Sequence, residues 1–104
     1  MNNFNKAIKY LKQAIEINPE YPRSYLFYGL CASGLGDYKT AEKCYLIAIK
    51  LNKYYAQAYY NLAITYLNLR DKESAVKVFN ILKEIDSDTA RELTKDLYNI
   101  LKEQ

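Results

Sequence analysis

One interval organises this chain: residues of one kind return every 34 positions. Ala7, Ala41 and Ala75 are so spaced, as are Leu11, Tyr45 and Phe79, and Ile17, Leu51 and Ile85. Asn18, Asn52 and Asp86 keep the same step, and so do Asn3, Asp37 and Asp71. Tyr25 returns as Tyr59, Gly29 as Ala63 and Pro22 as Ala56. A fixed period of this length means a structural unit that cannot bury its apolar face alone and stacks on its copies. Such arrays present a continuous surface and seldom enclose a reaction site. Binding is therefore the first functional expectation.

Within each period the apolar residues recur three and four apart, as on the buried stripe of a helix. Phe4, Ala7, Ile8, Leu11, Ala14 and Ile15 place a first helix over residues 4–17. Asn18-Pro19-Glu20-Tyr21-Pro22 breaks it, and Pro22 suits the first turn of a second helix reaching about 35. That helix ends at Gly34-Leu35-Gly36, where glycine accepts a left-handed conformation. Asp37 is expected to cap a third helix over 38–51, and Asp71 a fifth over 72–85, with a fourth over 56–69 between them. Thr89-Ala90-Arg91-Glu92 has the form of a capping box opening a sixth helix to about 103. Connections this short make neighbouring helices antiparallel.

These residues resemble the tetratricopeptide repeat. Tyr25-x-x-Tyr28-Gly29-x-x-Ala32, Gly36-Asp37-Tyr38, Ala41-x-x-x-Tyr45 and Ala48-Ile49-Lys50-Leu51-Asn52 read as one complete unit. Tyr59-x-x-Leu62-Ala63-x-x-Tyr66, Ala75-x-x-x-Phe79 and Leu82 to Asp86 read as a second, and Asn3 to Pro19 as the latter half of another. The resemblance implies an all-α, right-handed solenoid of about six antiparallel helices. It divides residues 1–104 as one domain: a half-repeat (2–21), two full repeats (22–55 and 56–88) and a capping helix (89–104). Small residues at Gly29, Ala63, Ala41 and Ala75 would let helices approach closely, and Tyr25, Tyr45, Tyr59 and Phe79 would fill the space between repeats. Two departures stand out. Arg70 occupies the place of Gly36, so an arginine is expected in a left-handed turn. Leu97 occupies the place of Gly29 and Ala63, so the sixth helix is expected to close the array, with Leu93, Leu97 and Ile100 inward and Arg91, Glu92, Lys95, Asn99 and Lys102 outward.

The resemblance also implies a ligand site, a concave groove lined by the first helix of each repeat. By register the groove would show Arg23, Leu26, Phe27, Leu30 and Ser33, then Gln57, Tyr60, Asn61, Ile64, Leu67 and Asn68, then Arg91, Thr94, Lys95 and Tyr98. Leu26, Phe27, Leu30, Tyr60, Ile64 and Leu67 make an apolar strip, which on a surface marks an interaction site. Arg23, Arg91 and Lys95 give it a basic rim. The expected partner is another protein or peptide with apolar anchors and acidic groups. Some relatives grip a terminal carboxylate with five basic and asparagine side chains. Asn61, Arg91 and Lys95 match or approximate three of those, but Leu26 and Leu30 stand at the other two.

Other functional classes find little support. Histidine is absent, so imidazole catalysis and histidine metal ligation are excluded. The two cysteines, Cys31 and Cys44, have no metal-site spacing, and the three glycines form no phosphate-cradling loop. No catalytic residue, cofactor or metal is expected. The net charge of +3, from 15 basic and 12 acidic residues intermixed, does not demand a nucleic-acid partner. Lys6, Lys9, Lys12, Lys39, Lys43 and Lys50 fall on the outward second helices, as a solvated face. No apolar run is long enough to insert in a membrane, and a cytoplasmic location is the default expectation. The sequence opens on a second-type helix. An alternative role is therefore self-assembly, head to tail or as a dimer, through that uncovered helix.

Overall fold

In the computed structural model, which describes residues 3–102, six helices follow one another: α1 (Phe4–Ile17), α2 (Pro22–Gly34), α3 (Tyr38–Leu51), α4 (Ala56–Asn68), α5 (Lys72–Ile85) and α6 (Ser87–Lys102). Side chains are described for these helices except at positions 97, 98, 100, 101 and 102. The expected inward turn of Leu97 and Ile100, and the places of Tyr98 and Lys102, therefore lie outside what is described. Each helix packs on the next in sequence, and α2 also meets α4, and α4 meets α6. Among the described residues the backbones of α1, α3 and α5 do not come close to one another. The odd helices are thus splayed apart while the even ones converge, which bends the stack and puts the even helices on its inner side. The all-α solenoid of helix pairs is the architecture expected.

The repeat is written in hydrogen bonds as well as in residue types. Asn3, Asp37 and Asp71 cap α1, α3 and α5: each side chain accepts a backbone N–H three residues on, from Lys6 (3.1 Å), Thr40 (3.2 Å) and Ser74 (3.0 Å). Asn18, Asn52 and Asp86 each accept a backbone N–H two residues on, at 3.2, 3.1 and 3.1 Å. The Tyr25 hydroxyl donates to the Pro19 carbonyl (3.0 Å), and 34 positions later the Tyr59 hydroxyl donates to the Lys53 carbonyl (2.8 Å). These phenols anchor α2 and α4 to the turns that introduce them.

The sixth helix departs from expectation at its start. It begins at Ser87, and its cap is Asp86, not Thr89. Asp86 Oδ1 accepts from the Thr89 backbone (3.1 Å) and Oδ2 from the Thr89 hydroxyl (2.8 Å), so Thr89 sits at the third helical position. A carboxylate that receives both donors satisfies the helix end better than a hydroxyl one turn later, and no proline follows Asp86 as Pro19 follows Asn18 to force a longer turn.

The core holds Tyr45, Leu62, Leu82 and Leu93 with the alanines Ala41, Ala48, Ala58, Ala63 and Ala90. Tyr45 packs against Gly29 of its own helix pair and belongs to the core cluster that also holds Leu62 and Ala63 of the next repeat. A β-carbon added at Gly29 would lie 2.5 Å from the Tyr45 ring. The ring therefore lies directly on the α2 backbone, and its hydroxyl is 3.4 Å from that of Ser33.

Gly36 has φ of +79° and Arg70 has φ of +61°, so the arginine is in the conformation that glycine takes one repeat earlier. Arg70 is exposed, with no packing to lose. Arg70→Gly is expected to stabilise the fold by about 1 kcal/mol, a rise in melting midpoint of about 4–8 °C. An unchanged or lower midpoint would show that the turn carries no strain.

The caps predict the response to acid. Asp37, Asp71 and Asp86 have pKa values below the ordinary carboxylate value, held there chiefly by hydrogen bonds from Thr40, Ser74 and Thr89. A carboxyl depressed in the folded state contributes stability above its unfolded pKa and loses it as the pH falls through the folded one. The melting midpoint should therefore decline below about pH 4. Replacing all three by asparagine, which still accepts a cap bond, should flatten that decline. An equally steep curve in the triple variant would assign acid sensitivity to other groups.

Candidate groove on the inner helices

The residues expected to line a groove lie on the even helices α2, α4 and α6. Phe27 and Leu30 keep 43% and 36% of their surface exposed on α2. The Arg23 guanidinium lies 5.7 Å from the centre of the Phe27 ring, within cation–π range. Gln57 is exposed, Asn61 is half-buried, and Tyr60 and Ile64 are half-buried against the core. Asn61 donates to the Gln57 carbonyl of its own helix (2.9 Å). Arg91 and Lys95 are exposed on α6, and Arg91 pairs with Asp88 at 3.6 Å.

Two expected members of the strip are not on the surface. Leu26 and Leu67 are only 4% and 5% exposed. Leu26 belongs to the core cluster. What stays open is Phe27 and Leu30, with Tyr60 and Ile64 partly accessible beside them. Among the described residues the five-position carboxylate grip is incomplete: leucines stand at two of its positions, and Leu26 is buried.

A cleft of about 580 Å³ opens where the N-terminal ends of α4 and α6 meet. It is lined by Tyr55, Ala56, Gln57, Tyr60, Asp86, Thr89 and Glu92. Of the residues read from the sequence as groove, the cleft contains Gln57 and Tyr60. Arg91 and Lys95 are not in its lining; Glu92 presents a carboxylate instead. Tyr55, Asp86, Thr89 and Glu92 escape a register argument because they read as linker and cap. For Asp86 and Glu92 the sequence does carry a signal, a change of charge from one period to the next: Arg23, Asn52 and Ala58 are followed 34 positions on by Gln57, Asp86 and Glu92. The same three places go from one positive charge to two negative ones.

The thiols are unpaired, Cys44 buried and Cys31 half-buried. Burial pushes the Cys44 thiol up to about 11, and it raises Cys31 as well. Burial thus holds the Cys44 thiolate scarce and its reactivity low. At pH 8 iodoacetamide should label Cys31 first and leave Cys44 unmodified in the folded chain; equal rates by mass spectrometry would contradict the burial of Cys44.

The sequence profile described as "Tetratricopeptide repeat" matches residues 32–90, and a second profile with the same description matches residues 1–46. The chain belongs to the tetratricopeptide repeat family. Among curated proteins it is similar to the Sol locus transcriptional repressor of Clostridium acetobutylicum, 31% identical over 84 residues that make up 81% of this chain and 26% of that protein. It is also 28% identical over 76 residues to the human protein O-mannosyl-transferase TMTC3, covering 73% of this chain and 8% of that protein. The chain therefore spans about a quarter or less of these relatives. Among solved structures, the TPR2B domain of yeast Sti1 in complex with pHsp70 superposes with a TM-score of 0.88 at 20% identity, over 98% of this chain and 86% of that one. A MamA structure superposes at 0.78 with 26% identity, over 86% of this chain and 49% of that one. Domains of this family generally serve as interaction modules and not as catalysts. Among the described residues no helix is long and apolar enough to cross a membrane.

Proposed function

We propose that this tetratricopeptide repeat chain is a non-catalytic protein-interaction module, cytoplasmic, holding a peptide segment on the inner face of α2, α4 and α6. The observation that carries the reading is the pair Phe27 and Leu30, exposed side by side on α2 where Leu26 is buried. Their area remains free for apolar anchors of a partner, and the Arg23 charge beside Phe27 suits an acidic group next to such an anchor. The repeats over 22–55 and 56–88 supply the groove, and 89–104 closes it. Support by analogy comes from structures of like fold that hold chaperone peptides. One is the Sti1 domain; another is the first TPR of Spaghetti (RPAP3) bound to the HSP90 peptide SRMEEVD, with a TM-score of 0.77 at 20% identity. The lysines Lys6, Lys9, Lys12, Lys43 and Lys50 are exposed on the outer helices α1 and α3, away from this face.

The test is capture of partners by the wild type and by a Phe27→Glu, Leu30→Glu double variant. Both positions are exposed, so the variant should fold, and its circular dichroism should be unchanged. The expected result is loss of the captured proteins by the variant. Capture of the same proteins at the same yield would reject the groove.

Association of two copies through α1 is a second reading with its own observation. Ile17 is 86% exposed and Tyr10 also lies open, whereas Cys44, the counterpart of Tyr10 on α3, is buried. Ala7, Leu11 and Ala14 are only half-buried, while Ala41, Tyr45 and Ala48 are wholly covered. Light scattering at two concentrations decides it: a mass of one chain at both rejects association.

A further inference from the structure

The cleft between α4 and α6 differs in chemistry from the rest of the inner face. Its lining includes the half-buried Tyr55 and Tyr60, the acidic Asp86 and Glu92, and Gln57. Among the described residues no basic side chain lines it. The corresponding place one period earlier has Arg23 for Gln57, Asn52 for Asp86 and Ala58 for Glu92. There the surface is basic and Leu26, the counterpart of Tyr60, is packed away in the core. The inner face therefore has two poles. Arg23 stands at the α2 end, over the Phe27 ring. The carboxylates stand at the α6 end.

We propose that this cleft receives a positively charged side chain, lysine or arginine, of the peptide held on the inner face, with Tyr55 and Tyr60 flanking the cation and Asp86 and Glu92 neutralising it. The proposal rests on the peptide-binding reading above and adds polarity to it: the ligand carries an acidic group toward Arg23 and a basic one toward α6. Aromatic faces and carboxylates together suit a cation that retains some water. Asp86 serves while still capping α6. Its Oδ1 accepts from the Asp88 and Thr89 backbones and its Oδ2 from the Thr89 hydroxyl, which leaves acceptor capacity on Oδ2. Among the described residues no cation forms an ion pair with Asp86 or Glu92. The cleft volume of about 580 Å³ exceeds what one side chain needs, so the neighbouring peptide backbone fits as well.

The test uses the whole chain, labelled with ¹⁵N, and three blocked pentapeptides: acetyl-Ala-Leu-Lys-Leu-Ala-amide and its versions with norleucine or glutamate at the centre. Amide shifts are followed in wild type, in Asp86→Asn, Glu92→Gln and in Phe27→Glu, Leu30→Glu. Asparagine retains the cap acceptor, and glutamine the length of the glutamate. The lysine peptide should bind about tenfold tighter than the other two, a difference of the size one charge-assisted contact supplies. Its shifts should centre on Gln57, Tyr60 and Glu92, and the Asp86→Asn, Glu92→Gln variant should reduce it to the norleucine level. Equal binding of lysine and norleucine peptides, or an unchanged lysine affinity in that variant, overturns the proposal. The groove reading survives if the norleucine peptide still shifts Phe27 and Leu30 and loses binding in Phe27→Glu, Leu30→Glu. Absence of shifts with all three peptides defeats both.

Discussion

Gly29→Leu should prevent this chain from folding at ordinary temperature. The β-carbon alone would stand 2.5 Å from Cε1 and 2.9 Å from Cδ1 and Cζ of Tyr45, a ring that is 1% exposed and has no free side to move to. A leucine adds three further carbons in the same place. Overpacking by single methylenes costs about 1–3 kcal/mol. A whole branched side chain against a fixed ring exceeds that and takes a large part of the roughly 5–15 kcal/mol available to a domain. Gly29→Ala is the graded comparison. Ala63 occupies the same position one repeat later, and there the partner ring, Phe79, is only half-buried. The alanine variant should fold with a lowered midpoint, and Tyr45→Leu added to it should restore part of the loss. Thermal melts of the three variants test this. A fully folded Gly29→Leu with an unchanged midpoint would mean that Tyr45 does not lie where the structure has it.

Leu93→Ala should release α6 without unfolding the rest. Leu93 is fully buried and, with Ala90, brings α6 into the core cluster. Truncating a buried leucine costs about 2–5 kcal/mol through lost burial and the cavity left behind. In a stacked array each helix is held only by its neighbours, so the loss stays near the end where it occurs. Among the described residues α6 meets only α5 and α4. Hydrogen exchange should accordingly show the amides of α6 losing protection while those of α2 and α3 keep theirs. Uniform loss across all six helices would show a chain that unfolds as one unit. The same variant should abolish the cleft, because Thr89 and Glu92 leave with the helix.

The order of helices was readable because it depends on local chemistry. A cap needs an acceptor three residues before an N–H, and Asn3, Asp37 and Asp71 supply it at a fixed spacing. Arg70 in a left-handed turn was readable from its alignment with Gly36. The start of α6 was missed because two local solutions compete one turn apart, and the carboxylate of Asp86 offers more bonds than the hydroxyl of Thr89. The groove was legible only in outline. Register places Leu26, Phe27 and Leu30 near one another on α2, but it cannot say which of them the next inner helix covers.

The 34-residue period by itself determined that this chain is a stack of helix pairs, where its first five helices lie to within a residue or so, and which residues are small so that helices can meet. It did so because propensity, capping and apolar spacing act within a few residues of one another. Only the tertiary structure decided that Leu26 and Leu67 are core while Phe27 and Leu30 stay exposed, that Tyr45 rests on Gly29, and that Asp86 and Glu92 share a cleft with Tyr55 and Tyr60. Those facts depend on the angle at which successive pairs stack. That angle is the sum of many side-chain contacts between helices, and no single position in the repeat records it.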